Sequence, residues 1–148
     1  MSIKLNFINI MKKFLLVLLF LPTFSLAESI QDYLDNTPNW AEEVEEVIYL
    51  TARCSGILQV TGQHRIEVGD QELGPVLLDL GQGLALTSGQ LALNSGLSIE
   101  NIKERTIFWM KKYADDSIEN TDNYNNIFVG DYANDFTFCY SLVETINS

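Results

Sequence analysis

Basic residues are scarce in this chain: nine Lys or Arg stand against twenty Asp or Glu, and there is a single histidine. Nucleic acids and anionic lipid surfaces are bound mainly by neutralising phosphate with Lys and Arg. The composition therefore excludes both as partners, while a basic protein, a cationic peptide or a divalent cation stays open. The alternative is that the negative charge has no binding role and only keeps the protein soluble.

Motifs that carry catalysis or bind metals are missing as well. The sequence has no Gly-x-Ser-x-Gly elbow, no His-Glu-x-x-His and no glycine-rich phosphate loop. His64 lies in a polar stretch beside Arg65 and Glu67, which is typical of a solvated loop. Asp115–Asp122 resembles the start of a calcium loop, but it has no glycine at the sixth place, and Asn126 replaces the closing glutamate. We expect no catalytic residue, no cofactor and no metal site, and hence a protein that is not an enzyme.

Residues 11–27 have the three parts of a secretory signal peptide. The basic start, the apolar stretch and the small-x-small cleavage site are Lys12-Lys13, Phe14–Leu21 and Ser25-Leu26-Ala27. The apolar stretch is shorter than the roughly 20 residues that span a bilayer. We expect cleavage after Ala27 and a periplasmic or secreted product. No lipid anchor to the membrane is expected, because the residue directly after the cleavage site is Glu28 and not a cysteine.

The exported product would comprise residues 28–148, enough for one domain with one hydrophobic core. Translation could begin at Met1 or at Met11. Three of the nine basic residues lie in residues 1–27 and none of the twenty acidic ones do, so the net charge of the product is about −14. We therefore expect an acidic, single-domain exported protein. The sequence does not determine its oligomeric state.

Two cysteines, Cys54 and Cys139, are present, and in an oxidising compartment we expect them to form a disulfide. Arg53 precedes the first cysteine and Asp135 lies one helical turn before the second. The disulfide would therefore bring these two charges together as a structural ion pair.

Apolar residues recur at helical spacing in three segments. The first helix should begin at Thr37-Pro38, as a hydroxyl cap followed by proline predicts, and end at Gly62. A polar connector, Gln63–Gln71, should follow. The third helix should begin at Ser98 and stop before a polar loop at 119–126. The fourth should run from Phe128 to Ile146.

Leu73–Leu97 fits either a helix or a β-hairpin around residues 84–93. As a helix it has one leucine stripe and a neighbouring stripe of small residues, Gly81, Ala85 and Gly89. As two strands it has Ser88-Gly89 at the turn. We favour the helix because Leu and Ala are poor strand formers. The predicted fold is thus an all-α four-helix bundle with one disulfide, and the alternative is an α+β fold with that hairpin.

In an up-down-up-down bundle the first and fourth helices are antiparallel. Because both cysteines lie at similar fractions of their helices, either these helices are staggered or the glycine-rich segment Leu73–Leu97 breaks this topology. We expect a stagger of about two turns. The acidic start of the first helix would then project beyond the fourth, capped by residues 28–36.

Two short segments around the cysteines resemble a known sequence pattern. They are Ala52-Arg53-Cys54-Ser55-Gly56-Ile57 and Asp135-Phe136-Thr137-Phe138-Cys139. They resemble a pattern in small exported helical proteins of Gram-negative bacteria, which have an Ala-Arg-Cys-Ser-like first helix and a late Asp-x-x-x-Cys. The resemblance implies an exported, disulfide-linked helical domain and brings no activity with it. Gly56 departs from the pattern, since a larger apolar residue is expected there.

Exposed aromatics and carboxylates suggest a surface for a partner. Its candidate residues are Phe108, Phe138, Tyr140, Glu42, Glu43 and Glu46. The sequence therefore favours a protein-binding module. The alternative is an acidic inhibitor or immunity protein against a basic exported toxin or hydrolase.

Overall fold

The computed structural model describes residues 28–147, and the predicted signal peptide lies outside this range. The described residues form five α-helices and one 3-10 turn. The helices are α1 (Ile30–Asn36), α2 (Val44–Glu67), α3 (Leu73–Asn94), α4 (Ile99–Tyr124) and α5 (Gly130–Asn147), and the 3-10 turn is Trp40–Glu42. This part of the chain has no strand, so the all-α prediction is confirmed and the hairpin alternative at 84–93 is wrong. The predicted count of four helices is not confirmed, because α1 is an additional helix ahead of the first predicted one.

α2 is the centre of the fold, and every residue from Leu50 to Leu58 is buried. A helix that is buried on all sides needs partners around it. α3, α4 and α5 each pack against α2, and α1 packs against α5. Between residues 28 and 147, no helix combines the length and the hydropathy that crossing a membrane requires.

α2 and α3 form an antiparallel hairpin whose close approach depends on glycine. A Cβ atom on Gly62 would lie 2.8 Å from the carbonyl oxygen of Gly74, and one on Gly81 would lie 2.9 Å from the backbone nitrogen of Gln59. Gly81 of the predicted small-residue stripe thus packs closely on α2, whereas Gly89 of the same stripe faces open space. Gly62 does not end the first helix as predicted, because it is a packing residue in its middle.

The start of the first helix differs from the prediction as well. Within residues 28–36, Ile30–Asn36 form α1, and the Ser29 hydroxyl caps it by accepting a hydrogen bond from the backbone N–H of Asp32 at 3.1 Å. Thr37-Pro38 lies in the turn that follows, and the extended backbone of Glu43 separates the 3-10 turn from α2. Since α1 packs against α5 and must be connected to α2, the chain turns where the local cap signal predicts a helix.

The predicted polar loop at 119–126 is mostly helix. α4 continues to Tyr124 and ends at Asn125, which has a left-handed φ of 52°. The amide of Asn120 donates to the carbonyl of Ile127 at 2.9 Å and so links the last turns of α4 to the segment that follows the helix. The resemblance of Asp115–Asp122 to a calcium loop is therefore wrong, because alternate residues of a helix point in different directions. No group of three or more His, Cys, Asp or Glu within residues 28–147 is placed to hold a metal ion.

The predicted disulfide is confirmed: Cys54 and Cys139 are bonded, with their Cα atoms 5.1 Å apart. Two turns along α2, the hydroxyl of Thr61 lies 2.9 Å from that of Tyr132, so the two helices are antiparallel. Ten residues of α2 precede Cys54 and eight residues of α5 follow Cys139, so at this end the two helices differ by two residues. The predicted two-turn overhang is wrong, because the first helix begins later than its cap signal indicates.

Candidate functional site

A buried charge pair lies at the junction of the helices. Arg53 of α2 and Asp135 of α5 form an ion pair of 2.7 Å, and their side chains are 1% and 2% exposed. The Arg53 guanidinium also lies over the ring of Trp109, 4.2 Å from its centroid. Burying two charges is costly unless their remaining hydrogen-bonding groups find partners.

Those partners come from α4, from α1 and from the segment just before α1. Arg53 donates from Nε to the hydroxyl of Tyr113 at 2.8 Å and from Nη2 to the carbonyl of Glu28 at 2.6 Å. The Tyr113 hydroxyl donates to Asp135 Oδ2 at 2.6 Å, and the backbone N–H of Ile30 donates to Oδ1 at 2.7 Å. The network therefore holds the segment before α1 against the disulfide-bonded helices.

The electrostatics of this network keep its protons in place. Burial by itself lowers the pKa of Arg53, but Tyr113 and Asp135 outweigh it, and the pKa is raised. Burial is also the main cause that raises the pKa of Tyr113, with Asp135 acting in the same direction and Arg53 against it. Arg53 stays charged and Tyr113 stays neutral near pH 7, so the network stabilises the packing of these helices and of the segment before α1.

The aromatic residues of the predicted partner surface lie on two helices. Phe108 of α4 is 57% exposed, and its ring meets that of Trp109 edge-on. Phe138 and Tyr140 of α5 are half-buried. The ring of Phe138 packs edge-on against that of Trp40, with 6.3 Å between the centroids.

The acidic residues of that surface lie around the start of α2. Glu42 and Glu43 are exposed, whereas Glu46 is half-buried. Glu42 belongs to the same 3-10 turn as Trp40, so the Trp40–Phe138 contact brings Phe138 to this acidic segment. Phe108 is on a different helix and is not joined to them by a ring contact in the described range.

A groove of about 930 Å³ lies where α2, α3 and α4 meet. It is not among the features predicted from the sequence. Its lining residues are Gln59, Val60, Gln63, His64, Glu67, Leu78, Gln82, Ile107, Met110, Lys111, Ala114, Ser117, Ile118, Thr121 and Asp122. His64 is thus a half-buried helical residue that lines this groove, and its predicted place in a solvated loop is wrong.

The packing of α3 and α4 on α2 explains the groove. α3 approaches α2 through Gly62 and Gly81, and α4 approaches it at Gly56, where an added Cβ would lie 2.9 Å from the Cβ of Trp109. This contact also explains why Gly56 replaces the expected larger residue. α3 and α4 make few contacts with each other. The space between them is therefore left open above α2.

A second apolar stripe on α4 faces this space. Ile107, Met110, Ala114 and Ile118 recur at steps of three and four residues, next to the core stripe that contains Trp109. Ile107 is 54% exposed and Ile118 is 61% exposed. This second stripe is the signal in the sequence from which the groove could have been found.

Carboxylates line one end of the groove. Glu67 of α2 accepts a hydrogen bond of 2.9 Å from Gln63, and Asp122 of α4 lies across from it on the lining. Neither carboxylate forms an ion pair with another residue in 28–147. Lys111 is the cation of the lining, nearer the middle of the α4 stripe. The groove thus joins an apolar wall to an acidic end.

No protein-family model, no curated protein and no solved structure matches this chain. The function of the protein is therefore inferred from the geometry and the charge of the groove.

Proposed function

We propose that this protein is an exported, non-enzymatic helical module that binds another protein through the groove between α3 and α4. The observation that carries the proposal is the exposure of Ile107 and Ile118 on one stripe of the groove wall. A single exposed apolar residue is normal on a protein surface. Two on one stripe, beside Met110 and Leu78 in a groove of this size, are typical of a surface that a partner covers.

The scaffold supports this role because it fixes two walls of the groove, α2 and α4, relative to each other. The disulfide joins α2 to α5, and the buried network ties Tyr113 of α4 to both. A surface that is already ordered loses less conformational entropy on binding than a flexible one.

Export is part of the proposal. The signal features of residues 11–27 support it, and the Cys54–Cys139 disulfide is compatible with an oxidising compartment. On this proposal the protein belongs with the small exported helical proteins that its two cysteine segments resemble. The intact mass of the exported product should correspond to a chain that starts at Glu28. A product that keeps residues 11–27 would contradict the cleavage.

Site-specific photo-crosslinking in producing cells tests the groove. A benzoylphenylalanine at Ile118 should give a discrete adduct with one protein, whereas the same group at Ile146, 58% exposed on α5, should not. The adduct partner, once purified, should bind the wild-type chain and lose affinity for I118D in calorimetry. Equal adducts from both positions, or none from Ile118, would contradict the proposal.

A second candidate function is the acidic inhibitor or immunity protein. The favouring observation is the exposure of Glu42 and Glu43 beside the Trp40–Phe138 contact, which gives an acidic, aromatic surface at the start of α2. A crosslinker at Glu43 distinguishes the two candidates. An adduct with a basic hydrolase from Glu43, and none from Ile118, would support the inhibitor.

A further inference from the structure

The apolar wall of the groove has the dimensions of a helix-binding surface. Ile107 and Asp122 mark its ends on α4, and at 1.5 Å per residue the distance along the helix is about 22 Å. A helix of about four turns covers that length. Such a helix would present its own apolar residues at three- and four-residue steps, matching Met110 and Ile118.

The charges within one turn of the exposed Ile118 on its side of α4 are negative, whereas Lys111 lies two turns before it. Asp115 and Asp122 lie three residues before and four residues after Ile118, so they share its side of α4. Glu67 faces the same end of the groove from α2. Because neither Glu67 nor Asp122 has an ion-pair partner in residues 28–147, both are available to a cation from outside.

Other occupants fit less well. A second copy would bring together two acidic chains, each with a formal net charge of −11, which repel one another. An extended peptide that adds a strand needs a sheet edge, and residues 28–147 contain no strand. An amphipathic helix with basic residues on its polar face satisfies both the apolar wall and the acidic end.

We propose that the groove binds a single cationic amphipathic helix of about four turns from the partner protein. Its apolar stripe packs on Ile107, Met110 and Ile118, and its Lys or Arg residues meet Glu67 and Asp122. This inference rests on the proposed function, since it names the occupant of the same groove.

Three synthetic peptides of about 16 residues test the occupant. One has a leucine stripe at helical spacing and lysine on the other positions, one has glutamate in place of lysine, and one is a scrambled version of the first. Fluorescence anisotropy with the exported protein measures their affinities. The first peptide should bind at least about tenfold more tightly than either of the others, because only it combines apolar packing with opposite charge.

Variants locate the bound peptide. I118S should weaken binding of the first peptide by about tenfold, and E67Q/D122N should weaken it by about threefold or more and reduce its dependence on salt. The matched control is E42Q/E43Q, which removes two exposed carboxylates at the start of α2 and should leave the affinity unchanged. Circular dichroism of each variant checks that it is folded.

The outcomes separate this inference from the proposed function. Equal binding of the scrambled peptide, or an equal loss in E42Q/E43Q, would show a general charge effect and overturn the helix. A dimer in analytical ultracentrifugation that I118S dissociates would make a second copy the occupant. If none of the peptides binds while a crosslinker at Ile118 still yields its adduct, the inference fails and the proposed function stands. Absence of that adduct removes both.

Discussion

Arg53 donates a 2.7 Å hydrogen bond to Asp135, and both side chains are almost completely buried, on the two helices that the disulfide joins. The pair is beside the disulfide, because Arg53 precedes Cys54 and Asp135 lies one turn before Cys139. Its remaining hydrogen-bonding groups are matched by Tyr113 and by backbone groups of the N-terminal segment. Loss of one charge therefore leaves the other buried without compensation.

Asp135→Ala should lower the free energy of unfolding by about 3 to 5 kcal/mol, because it leaves the Arg53 guanidinium buried and unpaired. Replacing both residues, in R53L/D135L, should cost less than D135A alone. Urea unfolding followed by fluorescence measures both values.

The surface pair Lys112–Asp116 provides the control for this prediction. Its side chains are 28% and 32% exposed, and D116A should cost no more than about 1 kcal/mol. Amide hydrogen exchange gives a second test, because D135A removes the acceptor of the Ile30 N–H and should speed its exchange. A D135A protein as stable as D116A would contradict the role of the buried pair.

Replacing both cysteines by alanine should lower the free energy of unfolding by about 4 to 5 kcal/mol, since the bond spans 85 positions of sequence. Denaturant unfolding of the double variant and the oxidised wild type measures the difference. Thiol titration of the unfolded, unreduced wild type should find no free thiol. Two reactive thiols per chain would show that the bond is absent.

Two glycines of α3 should respond oppositely to alanine. A Cβ on Gly81 would lie 2.9 Å from the backbone nitrogen of Gln59, so G81A should destabilise the protein by about 1 to 3 kcal/mol. Gly83 has no neighbouring atom within 4 Å of its Cβ position, and G83A should stabilise the helix by up to about 1 kcal/mol. Thermal unfolding of the two variants compares them. Equal effects would rule out close helix approach at Gly81.

Stability should fall at alkaline pH because buried tyrosines resist ionisation. Burial raises the pKa of Tyr132 from 10.0 to about 12, and a hydrogen bond from Thr61 opposes this shift. The stabilising contribution is full below pH 10.0 and is lost as the pH rises through about 12. In that window each such tyrosine lowers the free energy of unfolding by about 1.4 kcal/mol per pH unit.

Urea unfolding between pH 9 and about 11.5 measures this slope. Y132F should reduce it, and should also cost about 1 kcal/mol at neutral pH through the lost hydrogen bond to Thr61. Y124F alters an exposed tyrosine and should leave the slope unchanged. A slope that Y132F does not alter would assign the alkaline loss to other groups.

The helical class and the disulfide could be predicted from local patterns, because side-chain periodicity reports which face of a helix is buried. The end of the first helix could not. A glycine after an apolar periodic segment is typical of a helix end. Gly62 instead lies inside α2, because the absence of a side chain lets Gly74 of α3 approach it closely. Likewise, Asn120 lies in a helix that runs to Tyr124, and its amide donates to the carbonyl of Ile127, a contact that composition alone does not predict.

The groove could not be predicted from any single segment of the sequence. The stripe of Ile107, Met110 and Ile118 is visible in the sequence, yet the same spacing describes a buried helix face. Whether a stripe is covered depends on how far the neighbouring helix lies, and here both α3 and α4 pack on α2 and make few contacts with each other.

The sequence by itself determined the acidic charge, the helical periodicity and the placement of Arg53 and Asp135 beside the two cysteines, because each follows from residue type and short-range spacing. Only the tertiary structure decided where the helices end, how the buried network holds the N-terminal segment, and that Ile118 lines an open groove. These features depend on contacts between residues far apart in the chain, and such contacts are set by the packing of whole helices around α2.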